Sequence, residues 1–185
     1  MLQLVNNERT DKNTVHSYLP LYERLLQHKK ETATNVLEVG MLKGGSIKLW
    51  QEYFVNATVH GVDILPYDQM WEDIQNNERI VLHTSNDAYN EVFFKDTFLD
   101  TGIKFDFMLD DGPHTLESMK QFITLYSQLL TDDGILIIED VQDIAWLQIL
   151  RNHTPEHLKS HIYTYDLRST KDRYDDIVFT ITKHF

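Results

Sequence analysis

Apolar residues along the chain follow two kinds of repeat that alternate from residue 35 onwards. Short, mostly apolar runs bounded by polar or glycine-containing turns are typical of buried strands. They predict five strands, at residues 35–39, 58–62, 79–82, 105–109 and 134–138. Between or after these runs, apolar residues recur at helical spacing and predict helices at residues 45–54, 88–94, 115–130 and 144–151. This alternation favours a parallel sheet covered by helices on both faces.

The two ends of the chain differ from this alternating region. Ser17 can cap a helix that runs to about Gln27, with Pro20 in the first turn, where proline is tolerated. At the other end, residues 161–165 and 176–182 predict two strands with no helix between them, which favours an antiparallel hairpin. The fold class that follows is α/β, with a Rossmann-like, mostly parallel seven-stranded sheet, helices on both faces and an antiparallel C-terminal strand hairpin.

The length of 185 residues suits a single domain with one sizeable core. We divide it into an N-terminal helical entry segment, residues 1–34, and a Rossmann-like core, residues 35–185. The chain has no cysteine, which excludes disulfides and thiolate metal sites and fits a reducing compartment such as the cytoplasm. No apolar run is long enough to cross a bilayer, and residues 1–10 lack the apolar stretch of a signal peptide.

The charge of the chain narrows the choice of partners. A formal net charge of −12 opposes attraction to phosphate backbones and to anionic lipid. We therefore expect no nucleic-acid partner and no membrane partner. The expected substrate is a neutral or uncharged polar small molecule, and a homodimer is left open.

A glycine-rich turn follows the first predicted strand. Gly40 permits a sharp turn, and Gly44 and Gly45 let the backbone approach a ligand and begin the next helix, which Ser46 continues. The spacing G-x-x-x-G-G differs from the G-x-G-x-x-G of dinucleotide-binding proteins. Glu38, just before the turn, would repel phosphate but could accept a hydrogen bond from the amino group of a methionine moiety. The alternative is an ordinary strand-to-helix turn that needs glycine for its geometry alone.

Polar residues also follow the second and third predicted strands. Asp63 ends the second strand, about twenty residues beyond the glycines, where a carboxylate can bind both hydroxyls of a ribose. Ser85, Asn86 and Asp87 follow the third strand, where an adenine ring would lie. Together with the glycine turn, these residues predict a cofactor that combines adenosine with an amino acid. The alternatives are a solvated loop aspartate at 63 and simple turn or helix-cap residues at 85–87.

Carboxylates follow the fourth and fifth predicted strands. Asp110 and Asp111 come after the fourth strand, and Glu139 and Asp140 after the fifth. Adjacent parallel strands bring these groups to one rim of the sheet, where they would repel one another without a cation or protons. Hard oxygen ligands suit Mg²⁺, so Asp111, Glu139 and Asp140 are candidate ligands. Asp110 is the alternative to Asp111, and the sequence leaves open which of the two points inward.

His114 lies shortly after Asp111, at the start of a predicted helix. Its ordinary pKa is near neutrality, so it could take a proton from a substrate hydroxyl. An ion on the neighbouring carboxylates would lower the pKa of that hydroxyl and hold it for in-line attack on a sulfonium methyl group. A local hydrogen bond at a helix N-terminus is the alternative role.

With these residues the chain resembles class I S-adenosylmethionine-dependent methyltransferases. More narrowly, it looks like the metal-dependent sugar O-methyltransferases of macrolide tailoring and their small relatives, including viral glycan methyltransferases. The resemblance rests on Glu38-Val-Gly40, Gly44-Gly45-Ser46, Asp63, Asp111-Gly-Pro-His114 and Glu139-Asp140. It implies S-adenosylmethionine as methyl donor and Mg²⁺ (or Mn²⁺) on Asp111, Glu139 and Asp140. It also implies that His114 is the general base, and we count Asp110 among the cofactor contacts.

Residues 10–18 are similar to the entry segment of that family, which lies over the cofactor and acceptor pocket. The resemblance implies that the acceptor pocket is lined by polar and aromatic groups, with Lys12, His16, Tyr18 and Arg168 as candidates. The alternative is that Tyr18 and Tyr22 simply pack the first helix onto the sheet.

The predicted function is Mg²⁺-assisted methylation of a sugar (glycan) hydroxyl with S-adenosylmethionine as donor. A phenol- or catechol-type acceptor is the alternative within the same chemistry. A dinucleotide-dependent oxidoreductase is a second alternative, which the glycine spacing opposes. A non-catalytic binding module is the third, and His114 beside a full set of carboxylates argues against it.

Overall fold

The computed structural model describes residues 1–183 of the chain. Within this range there are seven strands: β1 (Asn35–Val39), β2 (Thr58–Asp63), β3 (Ile80–Thr84), β4 (Phe105–Asp110), β5 (Leu130–Ile138), β6 (Ile162–Asp166) and β7 (Ile177–Thr182). They form one sheet in the order β3-β2-β1-β4-β5-β7-β6. The first five strands are parallel, whereas β7 pairs antiparallel with both β5 and β6. The predicted fold class is confirmed, including the C-terminal hairpin.

Helices cover both faces of this sheet, because strand residues alternate between two apolar clusters. The helices are α1 (Tyr18–Leu26), α2 (Gly45–Tyr53), α3 (Glu91–Phe94), α4 (Leu116–Tyr126), α5 (Trp146–His153) and α6 (Arg168–Lys171). Val36 packs in the cluster that contains α1 and α2, and the next residue, Leu37, packs in the cluster that contains α3, α4 and α5. Successive strand residues point to opposite faces, so the period of two follows directly from the pleat.

Several element boundaries differ from the sequence predictions, and local side chains explain some of the differences. Helix α3 begins at Glu91 and not at residue 88, because the Asn90 side chain accepts hydrogen bonds from the backbone of Val92 and Phe93 at 2.9 and 3.1 Å. The predicted cap at Ser17 is wrong, since its side chain makes no capping hydrogen bond. Strand β3 extends to Thr84, and the polar turn between the last two strands contains α6.

The segment before α1 lies across the ends of the sheet strands. The carbonyl oxygen of Arg9 packs against Gly45, where an added Cβ would meet it at 2.0 Å. The Arg9 side chain pairs with Asp73 at 2.6 Å and lies over the Trp71 ring at 4.5 Å. Residues 9–17 are therefore held against the same rim that carries the predicted site. Among residues 1–183, no helix combines the length and apolar character needed to span a membrane.

Candidate active site

A cavity of about 730 Å³ opens at the carboxyl ends of β1, β2, β4 and β5. This is where ligands bind in open α/β sheets. Of the sequence-predicted site residues, it is lined by His16, Gly40, Asp63, Asp87, Asp111, His114 and Asp140. The structure thus places residues of both predicted sites, the cofactor site and the metal and base site, around one cavity.

The glycine turn serves mainly to pack backbone against backbone. Gly40 has φ +81°, and an added Cβ would meet the carbonyl oxygen of Asp111 at 1.9 Å, so this glycine lets the ends of β1 and β4 approach. At Gly44, φ is +88° and an added Cβ would meet Ile74 at 2.1 Å. Gly40 lines the cavity, but Gly44 does not. The role of Gly44 in the structure is the geometry of the turn.

The carboxylate of Glu38 faces away from the cavity. It accepts hydrogen bonds from Ser46 Oγ at 2.8 Å and Trp50 Nε1 at 2.5 Å, and Lys12 Nζ lies 3.4 Å from it. Burial raises the pKa of Glu38, although Lys12 opposes the rise. The oxygens of Glu38 are therefore engaged by side chains inside the protein, and its contact with the amino group of a cofactor stays a prediction. Ser46 lines only a smaller neighbouring cavity of about 260 Å³.

At the end of β2, Asp63 is fixed by two backbone donors. Its Oδ2 accepts a hydrogen bond from the amide of Leu42 at 2.7 Å, and its Oδ1 accepts one from the amide of Leu65 at 2.9 Å. Each oxygen retains a second lone pair, and the side chain is half-buried at the cavity wall. Of the three residues after β3, Asn86 and Asp87 line the cavity and Ser85 does not.

The structure distinguishes Asp110 from Asp111, which the sequence left open. Asp110 is buried away from the cavity and accepts a hydrogen bond from the Tyr89 hydroxyl, and burial raises its pKa to about 7. Asp111 lines the cavity. Burial also opposes ionisation of Asp111, but the attraction of Lys12 and the hydrogen bond with His114 outweigh it and lower its pKa. Asp111 is thus the carboxylate available at the rim.

Asp111, His114 and Asp140 form a compact group. His114 Nε2 lies 3.1 Å from Asp111 Oδ1 and 3.5 Å from Asp140 Oδ2. One ligand atom from each residue lies within 4.8 Å of the others, close enough to hold a metal ion. His114 and Asp140 both adopt positive φ values, 53° and 54°, which non-glycine residues rarely do and which are common at functional sites. Burial would lower the pKa of His114, but its bond with Asp111 and the charge of Asp140 raise it.

Glu139 does not line the cavity. Its two oxygens contact Lys12 Nζ and the Tyr22 hydroxyl, and the side chain is buried. Burial, together with the charge of Asp111, raises the pKa of Glu139 despite the nearby ammonium. Both oxygens of Glu139 are thus engaged by side chains of the protein, and its assignment as a metal ligand stays a prediction.

The predicted acceptor residues lie in three different places. Lys12 and Tyr18 are 1% and 0% exposed, so both side chains are buried in this structure, and their place in an acceptor pocket stays a prediction. The hydroxyl of Tyr18 donates to Asp140, which agrees with the alternative that Tyr18 packs helix α1 onto the sheet. His16 lines the cavity but is mostly buried. Arg168 pairs with Asp166 at 2.7 Å in a separate cavity of about 480 Å³.

Sequence reasoning missed a group of residues that precedes β7. Asp175 and Asp176 lie beside Asp140, and His16 Nδ1 contacts Asp176 at 2.7 Å and Asp140 at 3.3 Å. The placement follows from the register, because Ile138 at the end of β5 pairs with Phe179 near the start of antiparallel β7. The acidic pair at the start of the predicted last strand was the available signal, but the sequence did not reveal which strand β7 would join.

Comparisons with known proteins support the fold and the resemblance found in the sequence. No family model matches the chain. It is 28% identical over 145 residues to an 8-demethyl-8-alpha-L-rhamnosyl tetracenomycin-C 2'-O-methyltransferase of Streptomyces olivaceus, covering 74% of this chain and 36% of that protein. It is 23% identical over 139 residues to the mycinamicin VI 2''-O-methyltransferase of Micromonospora griseorubida, covering 71% and 33%. The chain thus spans about a third of the length of these relatives.

The solved structure of the MycE methyltransferase from the mycinamycin biosynthetic pathway, in complex with Mg, SAH and mycinamycin VI, has the same fold. The TM-score is 0.67 at 19% identity, and the match covers 91% of this chain and 50% of that one. The predicted resemblance to sugar O-methyltransferases and the Rossmann-like methyltransferase fold are both confirmed by these findings.

Proposed function

We propose that the chain is an O-methyltransferase that uses S-adenosylmethionine and Mg²⁺ to methylate a sugar hydroxyl. The observation that carries the proposal is one cavity with Asp63 at one end and the group of Asp111, His114 and Asp140 at the other. The sugar O-methyltransferases among the relatives support both the reaction and the acceptor class. We treat residues 1–185 as one domain whose N-terminal segment, residues 1–34, contributes to this cavity, and we place the protein in the cytoplasm.

The cavity fits an adenosine cofactor by shape and chemistry. The backbone-held carboxylate of Asp63 retains free lone pairs for two ribose hydroxyls. Ile64 is 73% exposed beside it, which leaves an apolar surface for a flat ring, and Asn86 and Asp87 offer polar groups at the same wall. We assign the ribose to Asp63 and the adenine to this wall.

The carboxylates at the other end fit a divalent cation. Asp111 Oδ1 and Asp140 Oδ2 both lie near His114 Nε2, so two carboxylate oxygens converge at this end of the cavity. Oxygen donors of this kind suit Mg²⁺ or Mn²⁺. We propose Asp111 and Asp140 as protein ligands, and Glu139, the third ligand predicted from the sequence, stays a prediction.

His114 is the group that we propose as proton acceptor. S-adenosylmethionine supplies a methyl group on a sulfonium, and Mg²⁺ lowers the pKa of a hydroxyl held beside it. The acceptor oxygen would bond to the methyl carbon while the bond from that carbon to sulfur breaks, and the hydroxyl proton would pass to the His114 imidazole, whose Nε2 donates to the carboxylates. Asp111 and Asp140 orient this imidazole, because both carboxylates lie beside Nε2.

The acceptor is a small-molecule glycoside or a glycan in this proposal. Arg173 lines both the main cavity and the cavity that contains Asp166, Arg168 and Tyr174, so the two adjoin. Carboxylate, guanidinium and an exposed tyrosine ring suit a hydroxyl-rich ligand with one flat face. The sugar would reach His114 from this side, with no nucleic-acid or membrane partner required.

A methyl-transfer screen tests the proposal. Labelled S-adenosylmethionine is offered with nucleotide sugars, free glycans, glycosylated small molecules, phenols and catechols, each with Mg²⁺ or with excess EDTA. We expect Mg²⁺-dependent transfer to at least one sugar hydroxyl. Transfer to phenols alone would replace the acceptor class, and full activity in EDTA would remove the metal from the proposal.

A further inference from the structure

Lys12 carries a buried ammonium group that contacts the carboxylates of three different strand ends. Its Nζ lies 2.5 Å from Asp111 Oδ2 and 3.4 Å from Glu38 Oε1, and it also contacts Glu139 Oε1. The side chain is therefore a fixed internal cation.

The two oxygens of each rim carboxylate have separate partners. Asp111 Oδ2 is held by Lys12, whereas Asp111 Oδ1 faces His114. In the same way Asp140 Oδ1 is held by the hydroxyl of Tyr18, whereas Asp140 Oδ2 faces His114. Side chains of the entry segment and of α1 thus bind one oxygen of each carboxylate, and the second oxygen of each faces His114 at the cavity.

Hydrogen bonds fix the backbone around Lys12, and this holds the ammonium group beside the carboxylates. The carbonyl of Asp11 accepts hydrogen bonds from the amides of Thr14, Val15 and His16 at 3.0 to 3.1 Å. The carbonyl of Lys12 accepts one from the amide of Tyr18 at 3.2 Å, which ties the segment to the start of α1. An ammonium on this short, cross-bonded segment has little freedom to leave the carboxylates.

A gain in stability does not account for a lysine at this position. Buried ion pairs often stabilise a fold no better than well-packed apolar side chains of similar volume, because both charges must be desolvated. Orienting carboxylates is a role that an apolar side chain cannot perform.

We infer that Lys12 is a positioning residue, whose ammonium holds Asp111 and Glu139 so that the free oxygen of Asp111 is presented to a divalent cation. The inference rests on the proposed function, because that function supplies the cation. A partner that orients a metal ligand in this way typically contributes 10–100-fold to metal affinity. Charge alone predicts the opposite sign, since removing a positive charge beside the site should strengthen the binding of a cation.

The absence of cysteine from the chain allows a direct test of the ammonium group. The Lys12→Cys variant is unfolded in guanidinium, alkylated with 2-bromoethylamine or with iodoacetamide, and refolded. The first reagent restores an ammonium at nearly the length of lysine, and the second leaves a neutral amide. Lys12→Gln is expressed alongside as a variant that needs no refolding. Binding of Mn²⁺, without cofactor or acceptor, is measured by electron paramagnetic resonance, and circular dichroism checks the fold.

Lys29 provides a matched control, because it is also buried and paired with two carboxylates, Asp106 at 3.3 Å and Asp133 at 2.5 Å, away from the cavity. We expect the neutral adduct at position 12 and Lys12→Gln to bind Mn²⁺ about 10–100-fold more weakly than wild type. The aminoethyl adduct should bind within about threefold of wild type, and both adducts of Lys29→Cys should do the same.

Unchanged or tighter Mn²⁺ binding by a folded neutral form at position 12 would overturn the inference. So would an aminoethyl adduct that recovers neither fold nor affinity, because its ammonium can reach the same carboxylates. If wild type itself fails to bind Mn²⁺, the metal part of the proposed function is wrong and this inference falls with it. The first two results leave the proposed function standing, so the two failures are distinguishable.

Discussion

The two ends of the cavity hold their carboxylates in different ways. Asp63 is fixed by backbone amides of Leu42 and Leu65, which lie close to it in the structure and belong to the loops after β1 and β2. Asp111 and Asp140 are fixed by charged or hydroxyl side chains from the entry segment and α1, roughly a hundred residues away in sequence. The end around Asp63, which we propose for the cofactor and call the cofactor end, is therefore built by local turns. The end around Asp111 and Asp140, which we propose for catalysis and call the catalytic end, is built by long-range contacts.

This difference implies different responses to substitution. Backbone donors at Asp63 remain in place when one side chain changes, so the damage should be confined to the lost ligand contacts. Side-chain donors at the catalytic end form a connected network, in which losing one member leaves buried charges without partners. We expect the larger and less additive effects at the catalytic end.

The largest expected effect is that of His114→Ala. Loss of the proton acceptor should lower kcat by about 10²–10⁴-fold, the usual contribution of a positioned general base. Binding of S-adenosylhomocysteine should be nearly unchanged, because the cofactor end does not depend on this imidazole. Turnover with the sugar acceptor and calorimetry with the cofactor product measure the two quantities. His153→Ala is the control, since that exposed histidine contacts only Thr124 among the hydrogen bonds described. Near-normal turnover of His114→Ala would remove the base from the mechanism.

The second-largest effect is expected for only one of two neighbouring aspartates at the catalytic end. Asp111→Asn should weaken Mn²⁺ binding by more than about tenfold and lower turnover accordingly, because a charged cavity-side oxygen is lost. Asp110→Asn should change both quantities little, since the carboxyl of Asp110 does not line the cavity and accepts a hydrogen bond from Tyr89. Mn²⁺ titration of both variants at pH 7.5 makes the comparison. Equal losses in the two variants would mean that Asp110 also serves the site.

The presence of Gly40 and Asp63 at the cavity could be predicted from the sequence. The positions of β1 and β2 fixed the place of Gly40 and Asp63, because ligands bind beyond the carboxyl ends of parallel strands. The orientation of Glu38 could not be predicted in the same way. A strand residue can face either side of the sheet, and only the packed structure shows that Trp50 and Ser46 take its oxygens.

At the catalytic end, the sequence predicted which residues lie on the rim, but it did not predict the side chains that contact them. The sequence placed Asp111, His114 and Asp140 on one rim, and the structure brings them within 4.8 Å. It assigned Lys12 and Tyr18 to an acceptor pocket, whereas both are buried against the carboxylates. These contacts join residues that are distant in the chain, so their partners depend on tertiary packing and not on local pattern.

A smaller effect is expected at the cofactor end. Asp63→Asn should weaken the binding of S-adenosylhomocysteine by about 1–3 kcal/mol, the scale for losing a charged hydrogen-bond acceptor. Mn²⁺ affinity should stay within about twofold of wild type, because the catalytic end has its own supports. Calorimetry gives the first value and Mn²⁺ titration the second, with exposed Asp68→Asn as control. A parallel loss of Mn²⁺ affinity would show that the two ends are coupled and would contradict the comparison.

The smallest expected effect is a pH dependence of stability that arises beneath the cofactor end. His60 on β2 and His83 on β3 are stacked at 5.6 Å, with Nδ1 and Nε2 3.3 Å apart and phenylalanine rings around them. Burial, with a smaller contribution from His83, lowers the pKa of His60 to about 4. The unfolded chain binds a proton near pH 6.5. The contribution of His60 to the free energy of unfolding is therefore fully present above about pH 6.5. It is lost as the pH falls towards 4, because the unfolded state then binds more protons than the folded state.

We expect the free energy of unfolding to fall by about 1–2 kcal/mol, because solvent at the sheet edge moderates the effect of the His60 pKa shift. Urea unfolding of the metal-free protein at pH 7 and at pH 5 measures it. His60→Phe removes the titrating group from an aromatic site and should make the fall in unfolding free energy shallower, whereas exposed His157→Gln should leave it unchanged. His60 lies on the strand that ends in Asp63. A fall in unfolding free energy at low pH that arises from His60 and His83 would therefore originate at the cofactor end. An unaltered slope in His60→Phe would assign the acid sensitivity to the carboxylate network at the catalytic end instead.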